Sequence, residues 1–199
     1  MLPPVGPGDL LSAEFFAHDT LAVARRLLGC RLVAESDHGP RGGRIVEVEA
    51  YCGQEDLACH ASRGRTARTE VMFGPAGHAY VYLIYGLHCC LNIVTEPGGR
   101  ACAVLLRSLE PDTGVGACNG PGRLCRSLGI DRSWNGLALL PPKLYIVAGE
   151  APGTIGASAR IGVDYAGPYR DRPWRFYLPS PALTRTRIKS GGQAMPASG

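Results

Sequence analysis

The sequence has no apolar run near the roughly 18 residues that a membrane-spanning helix requires. Its first residues, MLPPVGPGDL, lack the basic start and the hydrophobic stretch of an export signal. None of the eight cysteines falls in a C-x-x-C pair, a spacing that zinc sites and redox motifs commonly use. The nearest approach to a metal-ligand cluster is Cys52, Cys59 and His60, which are spaced more loosely. We therefore expect a cytoplasmic protein with reduced cysteines, no membrane partner and no metal or other cofactor.

Internal repeats and low-complexity blocks are also missing between the two ends of the chain. A chain of 199 residues with 45% hydrophobic content can bury roughly 70% of its unfolded surface around one core. The first residues are rich in proline and glycine, whereas the last are small, polar and basic. We predict one domain at residues 11–184, between a flexible leader at 1–10 and a disordered basic tail at 185–199.

Lysine is scarce, since Lys143 and Lys189 are the two lysines among 21 basic side chains. A genome rich in G and C would explain the many arginines, and so would a surface that binds phosphates. Arg63, Arg65 and Arg68 crowd into the segment SRGRTART, which contains no acidic residue. This distribution favours a loop that contacts a nucleic-acid backbone.

The segment GRIVEVEAY, residues 43–51, has the alternating pattern of a strand. Side chains alternate across a strand, so Glu47, Glu49 and Tyr51 share one face, while the apolar residues between them share the other. A carboxylate surrounded by β-branched side chains and an aromatic ring can lose its hydration. Its pKa then rises, so that it can accept a proton near neutral pH. The pattern is also typical of an edge strand with a solvated polar face, so both interpretations stand at this point.

Helix and strand signals divide the rest of the chain. Asp19 can cap a helix that ends before Gly29, and Pro121 opens a short helix that ends at Gly129. The run AYVYLIYGLHCCLNIV predicts a hairpin with its tip near Gly86. Further strands are predicted at residues 31–35, 44–51, 101–109, 144–147, 160–164 and 174–178.

The predicted hairpin concentrates aromatic side chains beside the arginine-rich segment. Tyr80, Tyr82 and Tyr85 offer flat faces on which a nucleic-acid base could stack, or they belong to the core and the sheet surface. Tyr85 sits at the tip, where an aromatic ring can wedge into a base stack. Asn92 on the return strand is either a satisfied buried amide or a reader of base edges.

Several segments, in their order and spacing, resemble the alkyladenine DNA glycosylases, also called 3-methyladenine DNA glycosylases. They are GRIVEVEAY, the A-C-H of residues 58–60, YVYLIYG followed by LNIV, VLLRSLEP, NGPGRLC and RIGV. The resemblance covers roughly residues 12–184. The sequence departs from the family pattern at Leu87, His88 and Ala182, which bears on groove fit and damage range rather than on the reaction.

The resemblance implies an α+β fold, a single domain with a strongly curved, open-barrel-like antiparallel sheet flanked by short helices. A protruding β-hairpin would enter the minor groove of DNA. The implied enzyme is a monofunctional, monomeric glycosylase of base excision repair that has no cofactor and no lyase step. It would flip an alkylated or deaminated purine, such as 3-methyladenine or hypoxanthine, out of duplex DNA. An activated water would then hydrolyse the N-glycosidic bond and leave an abasic site.

The same resemblance assigns roles to individual residues. It makes Glu49, rather than Glu47, the base that activates water, with Arg107 helping to hold that water. Tyr85 would fill the gap left in the duplex, and Asn92 would disfavour the 2-amino group of guanine. Three further residues would form the pocket for the flipped base: Tyr51, His60 and Tyr82. Four arginines would contact the DNA backbone: Arg63, Arg65, Arg68 and Arg123.

One geometric condition follows for the hairpin. A two-residue turn at Gly86 and Leu87 would place Tyr82 and Asn92 on opposite faces of the sheet. For both side chains to line one pocket, the loop must contain an odd number of residues or a strand must contain a bulge. We predict one of these two arrangements.

Two other classes of protein remain compatible with these patterns. A non-catalytic nucleic-acid-binding module would use the same basic and aromatic residues and would leave Glu49 with a structural role. A carbohydrate hydrolase could use Glu47 and Glu49 as a carboxylate pair. Strand residues two apart lie about 7 Å apart at Cα and point the same way, so they cannot easily bracket one bond from opposite faces. We rank the hydrolase behind the binding module.

Overall fold

The computed structural model describes residues 2–37, residues 39–183 and the backbone of residues 194–196. Within these ranges the α-helices are α1 (Ala13–Phe16), α2 (Thr20–Leu27) and α3 (Pro121–Leu128). Short 3-10 helices lie at His60–Arg63, Glu70–Phe73, Arg132–Trp134 and Gly167–Tyr169. No helix in the described part of the chain is long and apolar enough to cross a membrane.

The strands of the described residues belong to one antiparallel sheet. They are β1 (Arg31–Ala34), β2 (Arg41–Cys52), β3 (Ala79–Ile84), β4 (His88–Thr95), β5 (Cys102–Pro111), β6 (Leu144–Val147), β7 (Thr154–Ser158), β8 (Arg175–Tyr177) and β9 (Ala194–Pro196). Their order is β3-β4-β5-β2-β8-β7-β9, and β1 pairs with both β2 and β6. The sheet curls into a half-barrel with short helices beside it, so the predicted single-domain α+β fold is confirmed.

Strand β2 lies at the centre of this sheet. It pairs along most of its length with β5, while its start pairs with β1 and Glu47–Glu49 pair with β8. Both faces are covered, because Val48 and the two carboxylates are all 0% exposed. The interpretation as an edge strand with a solvated polar face is therefore wrong. Strand β2 is 12 residues long, so different strands can cover its two ends. These strands are distant in sequence, and the pattern of a short segment does not reveal them.

The loop between β3 and β4 determines whether Tyr82 and Asn92 lie on the same face of the sheet. Tyr82 pairs with Cys90, and Ile84 pairs with His88, which leaves three residues in the loop. The odd loop puts Tyr82 and Asn92 on the same face, because Asn92 pairs with Tyr80. The predicted odd loop is confirmed, and both side chains contribute to one pocket.

The helix signals read from the sequence are also confirmed. The Asp19 carboxylate accepts a hydrogen bond from the backbone N–H of Ala22 at 2.9 Å and caps α2. Pro121 occupies the first turn of α3. Gly129 ends α3 with a φ of 70°, a left-handed conformation that glycine adopts without steric cost.

One predicted strand is wrong. Residues 160–164 contain no strand, and the strand β7 lies just before them instead. Arg160 turns inward to form a buried ion pair, and Gly162 has a φ of 75°. The left-handed backbone at Gly162 is incompatible with the extended strand that the apolar pattern suggested.

The ends of the predicted domain are described in part. Within the predicted leader, the N–H of Gly8 donates to the carbonyl of Ala148 at 2.8 Å, and Leu10 forms a bridge with Val147. Most of the predicted tail, 185–199, lies outside the described residues. Its residues 194–196 form β9 against β7. The flexibility of both ends stays a prediction.

A buried ion pair joins the two loops that flank the C-terminal end of β2. Arg160 donates from both terminal nitrogens to the two carboxylate oxygens of Asp56, at 2.5 and 2.8 Å, and both side chains are 0% exposed. Arg160 also donates to the carbonyl of Ala50 at 2.9 Å, and its guanidinium lies over the rings of Tyr51 and Trp174. Asp56 in turn accepts hydrogen bonds from nearby backbone N–H groups.

This pair predicts a large and specific effect on stability. Replacing Arg160 by Met leaves a buried carboxylate without its partner, so we expect the free energy of unfolding to fall by about 3–5 kcal/mol. The double variant Asp56→Asn with Arg160→Met should lose less than Arg160→Met alone, because no charge remains buried. Denaturant unfolding measures both.

The matched control is the exposed pair of Arg170 and Asp171. Arg170→Met should leave the free energy of unfolding nearly unchanged, because exposed ion pairs contribute little to stability. A cost for Arg160→Met no larger than that of the control would show that the buried pair does not stabilise the fold.

Candidate active site

A pocket of about 280 Å³ opens beside the β3–β4 hairpin. Its walls come from β2 to β5, from the loops at 58–72 and 161–165, and from the start of α3. The polar and aromatic residues that line it are Tyr51, His60, Arg68, Tyr80, Tyr82, Tyr85, Asn92, Arg107 and Tyr165. The structure thus brings most of the predicted site residues to one place.

Three rings form one wall of the pocket. The ring of His60 meets the ring of Tyr82 edge-on, with centroids 4.5 Å apart, and its Nδ1 is hydrogen-bonded to the hydroxyl of Tyr80 at 2.9 Å. Burial, reinforced by the charges of Arg68 and Arg63, lowers the pKa of His60 from 6.5 to about 4. At neutral pH the ring is therefore uncharged.

Glu49 lies directly behind the pocket wall. Its Oε2 accepts hydrogen bonds from the Tyr51 hydroxyl at 2.9 Å and from Arg107 Nη1 at 3.2 Å, while its Oε1 accepts from the N–H of Ile161 at 2.7 Å. The carboxylate is 0% exposed, and the three donor residues are pocket-lining residues. Burial and the neighbouring Glu49 carboxylate raise the pKa of Tyr51 well above its usual value, so its hydroxyl stays a donor.

Glu47 has a different environment, deeper in the sheet. Its Oε1 accepts from Arg107 Nε at 3.0 Å and from Arg175 Nε at 2.7 Å, and its Oε2 accepts from the hydroxyl of Ser108 at 2.8 Å. The pairing of β2 with β5 is irregular on both sides of Glu47. Glu47 is not among the pocket-lining residues. Arg107 bridges the two carboxylates, so Glu47 and Glu49 share one cation instead of facing each other across a cavity.

Asn92 is 3% exposed and contributes to the pocket wall. Its Nδ2 donates to the carbonyl of Tyr80 at 3.1 Å and to the carbonyl of Cys90 at 3.5 Å. The two interpretations of this residue are thus compatible in the structure, since the amide is satisfied by the backbone and also borders the pocket. These contacts fix the side chain in place.

Tyr85 stands at the tip of the hairpin and is 88% exposed. Its φ of 52° lies in the left-handed region, which residues other than glycine adopt uncommonly. Leu87, across the loop, is 77% exposed, so the tip presents two large apolar side chains to solvent. The three hairpin tyrosines therefore differ, because Tyr80 is buried, Tyr82 borders the pocket and Tyr85 projects outward.

The four arginines predicted to contact DNA are all exposed, but their surroundings differ. Arg65 forms an ion pair with Glu70, and Arg123 donates to the side chain of Asn119. Arg68 borders the pocket, with its guanidinium 5.1 Å from the centre of the Tyr82 ring. Arg63 lies at the end of the 3-10 helix that begins with His60.

The loose cluster of Cys52, Cys59 and His60 does not form a ligand set. Among the described residues no group of three or more histidine, cysteine or acidic side chains is arranged to hold a metal ion. Cys59 contacts the carbonyl of Ala101, and His60 is bound to Tyr80. Burial raises the pKa of Cys59 to about 12, so its thiol stays protonated.

Sequence reasoning missed several residues that build the site. Arg160 and Asp56 hold the loop whose Ile161 N–H binds Glu49, and Arg175 supplies a second cation to Glu47. Tyr165, 66% exposed, closes another side of the pocket. The isolated arginine in RIGV was the available signal for Arg160, because a lone charge in an apolar run implies a buried partner.

Comparison with known proteins identifies the family of this chain. A family model described as methylpurine-DNA glycosylase matches residues 14–182. A protein of Myxococcus xanthus is 50% identical over 173 residues, which cover 84% of this chain and 89% of that protein. A protein of Methanocella arvoryzae is 48% identical over 183 residues, covering 84% and 92%. Each of the two is named "Putative 3-methyladenine DNA glycosylase". The chain belongs to the methylpurine-DNA glycosylase family, which implies DNA as its substrate.

The lowered pKa of His60 predicts how stability depends on pH. The folded-state value of about 4 lies below the usual 6.5, so between these values the unfolded chain binds more protons than the folded protein. The contribution of His60 to stability is therefore fully present above about pH 6.5 and is lost as the pH falls toward 4. His60→Gln should make the loss of stability between pH 7 and pH 5 shallower.

NMR of the His60 ring protons provides the direct measurement. Their chemical shifts should stay constant from pH 7 to pH 5. A titration midpoint near pH 6.5 would show that burial does not lower the pKa of the His60 ring.

Proposed function

We propose that this protein flips damaged purines out of duplex DNA and hydrolyses their N-glycosidic bond with an activated water. The observation that carries the proposal is the buried carboxylate of Glu49 behind the wall of an aromatic pocket, held by donors from three segments. A glycosidic bond inside a duplex is out of reach, so the nucleotide must be extruded into such a pocket. Alkylated and deaminated purines, 3-methyladenine and hypoxanthine among them, are the proposed substrates.

The chemistry assigned to Glu49 follows from its position. Cleavage of the bond develops positive charge on the sugar, and an ionised carboxylate nearby stabilises that charge and takes the proton of the attacking water. Arg107, which contacts both Glu49 and the pocket, helps to hold the water. Tyr51 keeps its proton, and it orients the carboxylate through its hydroxyl.

Glu47 is better suited to a structural role. Its two oxygens accept hydrogen bonds from Arg107, Arg175 and Ser108, and the residue is 0% exposed. A carbohydrate hydrolase would need Glu47 and Glu49 on opposite sides of one bond. Because both contact the same guanidinium of Arg107, they lie on one side. We therefore place the carbohydrate hydrolase last among the candidate functions.

The pocket walls favour water over an amine as nucleophile. A lyase step would require an amine that forms a Schiff base with the sugar. None of the described residues that line the pocket is a lysine. Lys143 lies over the ring of Trp134, which is not a pocket residue. We infer a monofunctional glycosylase, and we propose that it works as a monomer.

The hairpin supports the extrusion step. We propose that Tyr85 enters the duplex from the minor groove and occupies the space of the extruded base, as an exposed ring at a hairpin tip can do. Arg63, Arg65 and Arg123 provide the proposed contacts to the DNA backbone, which add affinity without sequence preference. Release of free base by the purified protein from duplexes with single defined lesions tests the whole proposal. A non-catalytic binding module would bind these duplexes and release nothing.

The first functional prediction separates the two carboxylates. Glu49→Gln should lower single-turnover base release by at least 10²-fold, since a positioned general base contributes about 10²–10⁴ in rate. Binding to a lesion duplex should stay nearly unchanged. Glu47→Gln should instead lower the free energy of unfolding, by about 3–5 kcal/mol, because it breaks buried ion pairs.

Rates are measured with excess protein at a temperature where both variants are folded, as monitored by circular dichroism. Full excision by Glu49→Gln together with lost excision in folded Glu47→Gln would reverse the two assignments.

The second functional prediction separates Tyr85 from Asn92. Tyr85→Ser loses the stacking that offsets extrusion, roughly 1–3 kcal/mol, so the extruded population should fall about five- to a hundredfold. Asn92→Ser should release guanine from a mispair more readily, because the fixed amide no longer meets the 2-amino group. Excision of hypoxanthine should change little in Asn92→Ser.

A fluorescent base beside the lesion reports flipping, and single-turnover assays report release of hypoxanthine and guanine. Normal flipping in Tyr85→Ser would show that Tyr85 is an ordinary surface residue with no role in extrusion. An unchanged rejection of guanine in Asn92→Ser would leave the amide with a structural role.

A further inference from the structure

The described wall of the pocket carries positively charged side chains and no negatively charged ones. The described lining residues include two arginines, Arg68 and Arg107, and no carboxylate. Arg107 is neutralised from behind by Glu47 and Glu49. Arg68 has no ion-pair partner among the residues that the structure describes. The pocket is therefore bordered by one uncompensated positive charge.

Arg68 is held against the aromatic wall of the pocket. Its guanidinium lies over the ring of Tyr82, 5.1 Å from the centroid. Its positive charge opposes the rise that burial causes in the pKa of Tyr80. This contact with the Tyr82 ring, together with its place in the pocket wall, directs Arg68 toward the pocket and not only toward the outer surface.

The other polar groups of this wall are uncharged at neutral pH. Burial lowers the pKa of His60 to about 4, so its ring is neutral. Burial raises the pKa values of Tyr51 and Tyr82, so both keep their protons. These groups can position a base by hydrogen bonds and stacking, but they place no positive charge beside it.

We propose that Arg68 stabilises the negative charge that develops on a neutral purine as it leaves, and that it disfavours purines which already carry positive charge. The inference rests on the proposed function and adds a specificity-determining residue to it. It also moves Arg68 from the set of backbone contacts to the base pocket.

The step balances without any further reactant. The bond between the sugar C1′ and the purine N9 breaks, and its electron pair moves to the purine. Water forms a new C–O bond at C1′ and gives a proton to Glu49. Arg68 donates hydrogen bonds to the departing anion and transfers no proton to it. The purine then takes a proton from solvent.

The expected selectivity follows from the sign of the charge. A neutral purine such as hypoxanthine leaves as an anion, so a cation in the pocket wall lowers its barrier. A purine such as 7-methylguanine arrives with a positive charge, which the same cation repels. Near a protein surface, two unit charges about 4 Å apart interact strongly enough to change a rate by about tenfold or more.

The experiment compares Arg68→Gln with the unaltered protein on duplexes that contain either hypoxanthine or 7-methylguanine. Single-turnover rates at saturating protein remove differences in DNA affinity. We expect release of hypoxanthine to fall about tenfold or more and release of 7-methylguanine to stay constant or rise. Arg68→Lys, which keeps the charge, should retain part of the preference. Each lesion is compared with itself, so the effect of Asn92 on the guanine 2-amino group cancels.

The matched control is Arg63→Gln, a nearby exposed arginine that is not a pocket residue. It should change the rates for both lesions by one common factor. If Arg68→Gln also changed both lesions by a common factor, or weakened only DNA binding, Arg68 would be a backbone contact and the inference would be wrong while the proposed function stood. If the unaltered protein released neither base, both the inference and the proposed function would fail.

Discussion

The buried carboxylates of Glu47 and Glu49 are the constraint on which the rest of this molecule depends. A charge removed from water is costly unless ion pairs and hydrogen bonds replace the lost solvation. Here the replacement comes from Arg107 on β5 and Arg175 on β8, the two strands that flank β2 at this point. The same groups that join three strands also fix the position of the carboxylate behind the pocket, so fold and site share one network.

Two glutamates in the same short pattern have different environments for a physical reason. Glu47 receives its hydrogen bonds from side chains inside the sheet, whereas Glu49 receives them from residues that also border the pocket. Spacing along β2 places both on one face but cannot distinguish them. The distinction comes from neighbours that are distant in sequence, such as Ile161, whose loop is held by Arg160 and Asp56. A resemblance to a family was needed to choose between them beforehand.

The parts of the fold that sequence predicted well are those fixed by local chemistry. The Asp19 cap and the Pro121 start each depend on residues within a few positions of one another. The odd hairpin loop is one of the two arrangements predicted from the condition that Tyr82 and Asn92 line one pocket. The failures lie where tertiary contacts override local pattern. Arg160 pairs with a carboxylate 104 positions away, and Gly162 in the same segment has a positive φ that no strand adopts. The burial of β2 on both faces likewise depends on partners that no window of sequence contains.

The hairpin links the outer surface of the protein to its pocket through a single rigid element. Side chains alternate along β3, so Tyr80 and Tyr82 face the pocket while the strand continues to the exposed ring of Tyr85. Changing the loop by one residue would reverse which side chains of β4 face the pocket, and Asn92 would leave it. The length of this loop therefore affects two properties, how far the tip projects and which side chains of β4 face the pocket. A substitution at Leu87 would alter the tip without changing the register, so under the proposed function it would affect the fit in the groove before it affected the reaction.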